Sequence, residues 1–248
     1  MLAVSTILPT RVSDRPPIVL VHGAANSAGV WVFWQRALAA RGWASHAIDL
    51  RGHGRSEQID LSGTRMGDYA DDVRSLVAQL PRPPVMMGWS MGGLVSMMVA
   101  SAGDAAACVG LDPSPPAQRV DTSISLRTGE FGPEEYGITG DDPNAQATMP
   151  DLDREERAIA LGSCGRESRL ARDERKAGVV VESLRCPTLI VTGSDWVEES
   201  RDGGGAWPEA EHQRLDGISH WGLVLNRRVL PTIVPRVHGW LASTRLAI

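Results

Sequence analysis

The residue best placed to do chemistry in this 248-residue chain is Ser90, centred in Gly88-Trp89-Ser90-Met91-Gly92. As a bare string, a serine between two spaced glycines is weak evidence. Its setting says more, because Val85-Met86-Met87 ahead of it reads as a buried strand and Met91–Ala102 after it as a helix. So abrupt a strand-to-helix reversal requires positive φ at Ser90, with Gly88 and Gly92 leaving room for the turn. The turn would lift the hydroxyl to the strand's C-terminal end and aim the helix N-terminus at it. A glycine-rich turn with a bystander serine is the bland alternative.

A serine hydroxyl needs a base to become a nucleophile. Of the six histidines, His22 and His53 sit beside glycines in early turns and read as structural. His46 falls inside a strand pattern, His212 starts a weak strand, and His238 lies on the last helix. His220, in Gly217-Ile218-Ser219-His220-Trp221-Gly222, occupies a loop between the final strand and the last helix and is the best candidate base. A base of this kind needs a carboxylate to fix its tautomer. Asp195, in Gly193-Ser194-Asp195-Trp196, and Asp112, directly after Ala106–Leu111, both follow strands at the edge where open α/β sheets assemble their sites. The chain order Ser, Asp, His favours Asp195; Asp112 is the alternative acid, with Glu198 and Glu199 behind it.

Other chemistries recede. Lys176 is the only lysine, which removes a lysine-dependent phosphate loop and nearly removes Schiff-base chemistry. Cys108, Cys164 and Cys186 have no metal-ligand spacing, so no metal is expected, and an odd number of cysteines fits a reducing cytoplasmic compartment. A formal net charge of -5 disfavours nucleic acid as a partner. No stretch approaches the ~20 apolar residues of a membrane span, and no leader of the secretory type is apparent, so neither membrane insertion nor secretion is expected.

The elements that must position these residues alternate. Ile18–Val21, Trp43–Leu50, Val85–Met87, Ala106–Leu111, Thr188–Val191 and, more weakly, His212–Leu215 read as strands. Helices are expected at Val30–Ala40, along the face Tyr69, Val73, Leu76, Val77 and Leu80, at Met91–Ala102, and at Leu230–Leu241 with interruptions at Pro231 and Pro235. Such alternation implies a mostly parallel, doubly wound α/β sheet with helices on both faces. From Pro113 to Arg185 the chain turns rich in charge, Gly and Pro, with no convincing strand. Asp153–Leu161, carrying the capping-box pair Asp153 and Glu156, and Ser168–Lys176 read as short helices there. The expected division is a core of 1–112 and 186–248 with 113–185 inserted as a cap or lid.

Taken together, Val21-His22-Gly23, Asp49-Leu50-Arg51-Gly52-His53-Gly54-Arg55-Ser56, Gly88-Trp89-Ser90-Met91-Gly92-Gly93, Thr192-Gly193-Ser194-Asp195 and Ser219-His220 resemble the α/β-hydrolase superfamily, in its serine-nucleophile, esterase- and lipase-like branch. The resemblance runs from about Pro17 to the C-terminus, outside the middle insertion. It implies oxyanion donors at the backbone N–H groups of Ala24 and Met91, and a small helical cap after the sixth strand of the fold. Two departures stand out. Only about 17 residues precede the first clear strand, so the usual leading hairpin must be shortened or partly absent. Asp195 stands two residues after Gly193, where the family acid usually stands three after, which keeps Asp112 open.

The expected reaction is cleavage of a carboxylic ester, lactone or thioester of an apolar small molecule through an acyl-enzyme, with no cofactor. Trp89, Trp196 and Trp221, each beside a proposed catalytic residue, are candidates for the substrate pocket. Met86, Met87, Met91, Met97 and Met98 read as core. Two other uses of the same residues are a C–C hydrolase or cyclase/lyase of secondary metabolism, and a ligand-binding receptor without turnover. Oligomeric state is not legible.

Overall fold

Four apolar residues in a row, Ile18–Val21, have no polar face to offer solvent, and in the computed structural model of the protein all four are fully buried. A strand of that kind must be covered on both sides. The structure describes residues 1–193, 210–244 and 246. Its main sheet contains β1 (Ala3–Ile7), β2 (Ile18–Val21), β3 (Ser45–Asp49), β4 (Val85–Trp89), β5 (Ala107–Leu111), β8 (Thr188–Thr192) and β9 (Glu211–Arg214). Their spatial order is β1-β3-β2-β4-β5-β8-β9, and every pairing is parallel except β1 with β3. The expected doubly wound sheet is therefore present. Where a shortened or partly absent leading hairpin is expected, the leading segment has one antiparallel strand, β1, whose mixed residues Ala3-Val4-Ser5-Thr6-Ile7 give no clear alternation in the sequence.

Helices α1 (Val32–Ala39), α2 (Met66–Val77) and α3 (Met91–Ser101) connect these strands. One apolar layer joins α1 and the Leu230–Ser243 helix to the sheet through Trp31, Trp34, Leu38, Val234 and Val237, all fully buried. The other layer holds Tyr69 and Val73 of α2 against Met91, Leu94 and Met97 of α3. Met86, Met87, Met91 and Met97 are fully buried in these layers, so they are packing residues. The Leu230–Ser243 helix runs through Pro235, with Pro231 in its first turn, where a missing N–H costs nothing. Among the described residues, no helix is long and apolar enough to cross a membrane.

The 113–185 segment leaves the sheet after β5 and rejoins it at β8. It carries helices α4 (Arg154–Ser163) and α5 (Arg169–Ala177), with the Asp153–Glu156 capping box in place. It also contains a two-residue antiparallel ladder, β6 (Glu130–Phe131) with β7 (Glu167–Ser168), too short to leave an alternating signature in the sequence.

Candidate active site

The parallel register sets the site. Val21 lies opposite Gly88 and Trp89 opposite Leu111, so the loops after β2, β4 and β5 emerge side by side. Among the described residues, three non-glycine residues have positive φ, and each stands in one of these loops: Ala25 (54°), Ser90 (55°) and Asp112 (38°). Backbone strain of this kind persists where the surroundings over-determine it, and it concentrates at functional sites.

Ser90 joins β4 to α3 without a spacer. The glycines around it are required by close approach. A Cβ on Gly88 would stand 2.1 Å from the Gly92 carbonyl oxygen, and one on Gly92 would stand 2.2 Å from that of Val21. The Ser90 carbonyl accepts from Gly93 N–H at 3.0 Å and from Ser114 N–H at 2.8 Å, which fixes the turn from both sides. Met91 is the first residue of α3, so its N–H has no acceptor within the helix and lies beside the serine.

His220 meets a carboxylate through Nδ1. Its partner is Asp112, whose Oδ2 lies 3.0 Å away and whose Oδ1 accepts from Gly193 N–H at 2.9 Å. Asp112 is 1% exposed. Asp195, favoured by chain order, and Trp196 both lie outside the described residues, so the carboxylate found on the histidine is the alternative named above. The Nδ1 contact leaves Nε2 as the free edge of the imidazole. The ring packs on Trp89 at 4.8 Å between centroids, and Trp89 Nε1 donates to the His220 carbonyl at 3.0 Å. Trp221 also packs against Trp89, its ring tilted by 57° at 4.9 Å between centroids.

The histidine's loop is further tied by Asp151, which no sequence pattern singles out. Its carboxylate accepts from Ser219 N–H at 3.1 Å and from the Ser219 hydroxyl, while Asn226 donates to its carbonyl at 2.7 Å. Gly222 has no room for a Cβ, which would fall 2.0 Å from Asp151 Oδ2.

Ser90 and His220 open onto one cleft of about 260 Å³, to which Ala24, Ala25, Asn26, Trp89 and Trp221 also contribute. Pro133, Tyr136, Ile138, Thr148 and Cys164 of the 113–185 segment form the facing wall. Burial pushes the Cys164 thiol up to about 11, so it offers no competing thiolate at neutral pH. The Thr148 hydroxyl is buried and has no hydrogen-bond partner among the described residues. Among those residues no cluster of three His, Cys, Asp or Glu side chains is placed to hold a metal.

Behind the cleft lies a buried polar cluster. His22 contacts the Gly23 carbonyl through Nδ1 at 2.8 Å and accepts from Leu50 N–H through Nε2 at 3.1 Å, as the structural reading of this histidine expects. Burial, and then the neighbouring His53, push its pKa down to about 4. Glu167, fully buried, lies 3.5 Å from His53 Nε2 and accepts from the Tyr69 hydroxyl. Burial works against its charge, but His53 and the Tyr69 hydroxyl outweigh it and hold the carboxyl down at about 2. Burial likewise opposes the His53 cation, and Glu167 overrides it to raise the histidine's pKa.

A family model described as the alpha/beta hydrolase family matches residues 18–230. A pimeloyl-[acyl-carrier protein] methyl ester esterase of Pectobacterium carotovorum is 29% identical over 188 residues, 73% of this chain and 66% of that protein. The mouse protein phosphatase methylesterase 1 is 34% identical over 104 residues, 40% of this chain. The chain therefore spans about a quarter (27%) of the length of that methylesterase. Among solved structures, tomato methylketone synthase I superposes with a TM-score of 0.69 at 18% identity, covering 92% of this chain and all of that one. An esterase from Thermogutta terrifontis superposes at 0.65 and 20% identity, covering 97% and 93%. At these identities the superpositions speak for the fold alone.

Proposed function

This chain belongs to the alpha/beta hydrolase family, and we propose that it is a serine hydrolase cleaving a carboxylic ester or thioester of a small, largely apolar acyl group. The observation that carries the reading is the convergence of strained Ser90 with the Asp112–His220 pair on one cleft. In it, Ser90 Oγ attacks the carbonyl carbon as His220 Nε2 takes its proton, and the same nitrogen returns that proton to the leaving group. Asp112 holds Nδ1–H and stabilises the imidazolium. The N–H groups of Ala24 and Met91 would bind the oxyanion, one such donor typically being worth roughly 3–4 kcal/mol. Water activated by His220 then releases the acyl group from Ser90.

The cleft supports a compact substrate. Its volume of about 260 Å³ lies just below the range of ligand sites, roughly 300 to 1,000 Å³. Trp89, Trp221, Ile138 and Pro133 supply apolar walls, and the Thr148 hydroxyl is a polar handle for the bound molecule. The similarity to methyl ester esterases supports ester hydrolysis as the reaction.

The test is hydrolysis of a 4-nitrophenyl ester series of rising acyl length, with a fluorophosphonate label located by mass spectrometry. Labelling at Ser90, burst kinetics and a Ser90→Ala loss of roughly 10⁴ to 10⁶ in kcat are expected. No label and no burst would leave a binding protein; a label elsewhere would displace Ser90 as nucleophile.

A further inference from the structure

Ala25 directly follows the proposed oxyanion donor Ala24, and its φ of 54° is one that L side chains rarely adopt. It lies in a turn, Ala24–Ala25, with no glycine at the strained position. Both of its backbone polar groups are taken by one short stretch of the 113–185 segment. Ala25 N–H donates to Glu167 Oε2 at 3.0 Å, and the Ala25 carbonyl accepts from Gly165 N–H at 2.9 Å. Ala24 is fastened in turn, its carbonyl accepting from Asn26 Nδ2 at 2.8 Å while Asn26 Oδ1 accepts from the Ser163 hydroxyl at 2.9 Å. Glu167 cannot drift, because its other oxygen accepts from Ser168 N–H at 2.7 Å and from the Tyr69 hydroxyl, and His53 faces it.

We propose that Glu167 is a positioning residue for the oxyanion loop, holding Ala25 in its left-handed conformation and so aiming the Ala24 N–H at the reacting carbonyl. This rests on the hydrolase reading above. It makes the 113–185 segment part of the machinery that fixes the site, beyond any role in admitting substrate. A carboxylate suits the task because three donors converge on it: Ala25 N–H, Ser168 N–H and Tyr69 O–H. An amide does not fit. Whichever way it is flipped, a glutamine at 167 turns its NH₂ either on Ala25 N–H or on the Ser168 and Tyr69 donors.

Two variants test this against a control. Glu167→Gln misplaces an N–H as described, and Glu167→Asp keeps the charge facing His53 while withdrawing the oxygens by one methylene. Glu156→Gln is the control, an equally buried carboxylate of the same segment that ties Arg227 to the Asp153 cap and touches neither Ala25 nor the cleft. On a 4-nitrophenyl ester, the Glu167 variants should lose roughly ten- to a hundred-fold in kcat, with KM within about three-fold. Their affinity for a short-chain trifluoromethyl ketone, whose adduct carries the oxyanion, should fall in parallel. Glu156→Gln should lose stability but keep kcat and inhibitor affinity within about three-fold. Wild-type kcat and inhibitor affinity in either folded Glu167 variant, or an equal loss in Glu156→Gln, would overturn the proposal. Absence of Ser90 labelling in the unsubstituted protein would instead remove the hydrolase reading, and this inference with it.

Discussion

Asp112 joins two loops with one carboxylate, Oδ2 lying 3.0 Å from His220 Nδ1 and Oδ1 accepting from Gly193 N–H at 2.9 Å. Asp112→Asn can keep the Gly193 bond, and it then turns an NH₂ towards Nδ1, which traps the wrong histidine tautomer. The fold should survive, while kcat falls by roughly 10⁴. Asp195→Asn should stay within about ten-fold of wild type. Steady-state kinetics of both variants on one 4-nitrophenyl ester decide between the two carboxylates, and a large loss at Asp195 alone would return the role to it.

Two glycines that look alike in the sequence should respond in opposite ways. Gly92→Ala drives a Cβ to 2.2 Å from the Val21 carbonyl oxygen and 2.3 Å from that of His22, so β2 and α3 would have to part. A loss above about 3 kcal/mol, or failure to recover folded protein, is expected. Gly67→Ala lies in the first turn of α2 with nothing within 4 Å of the new methyl. It should gain roughly 0.5–1 kcal/mol by restricting the unfolded chain. Urea midpoints at equal m-value give both numbers.

The 113–185 segment should not exchange hydrogen as one unit. Residues 118–128 are almost all exposed. The stretch from 145 to 177 is instead bound to the core: Asp151 to Ser219, Glu156 to Arg227, Glu167 to Ala25 and Glu174 to Met66 N–H at 2.8 Å. Amides of α4 and α5 should therefore be protected well above those of 118–128, with or without a bound phosphonate. Uniformly fast exchange through α4 and α5 would restore the picture of a loose lid.

What was legible in the sequence follows from what leaves a local signature. The candidate nucleophile Ser90 stands out because a strand, a turn and a helix are forced together within a few residues, and the glycines that permit it sit beside it. The candidate base His220 stands out by elimination among six histidines. The acid was harder. Asp112 precedes Pro113-Ser114-Pro115-Pro116, which reads as the stiff start of an insertion, and its φ of 38° is invisible in the residue type. Asp151 and Glu167 carry no signature at all. Each acts across long sequence separation on a backbone group of an irregular loop, Glu167 on Ala25 and Asp151 on Ser219. Neither periodicity nor a capping pattern marks a side chain whose partner is set by tertiary packing. β1 was missed for a related reason, since an edge strand pairing on one side needs few apolar residues.

Acid should weaken the fold through His22 before it reaches the carboxylates. The ring is fully buried, with Nδ1 at the Gly23 carbonyl and Nε2 accepting from Leu50 N–H. That arrangement is complete only for the neutral ring carrying its proton on Nδ1, because a second proton on Nε2 would face the Leu50 N–H. Burial and the neighbouring His53 lower its pKa to about 4, against a hydrogen bond to Gly23 and the carboxylates of Asp49 and Glu167, which pull upward. In the unfolded chain a histidine takes its proton near pH 6.5. Between those two values the unfolded state binds more protons, so stability rises with pH. The contribution of His22 is thus full above about pH 7 and is lost as pH falls through 6.5 towards 4. From pH 7.5 to pH 5 the loss from this one group is on the order of 2 kcal/mol. The Glu167 carboxyl, held at about 2, contributes little slope in that window, because even in the unfolded chain a glutamate takes its proton mainly below about pH 4.5. His53 acts in the opposite sense: its raised pKa favours the folded state below 6.5, and that support fades as pH climbs through the raised value. Urea unfolding at half-unit steps from pH 5 to pH 8 measures the sum. In His22→Gln, which cannot titrate, the acid-side slope should flatten by about the His22 share even though the variant starts less stable. An unchanged slope in that variant would show that His22 carries no linked proton, and that the neutral ring is not what closes the turn onto Leu50.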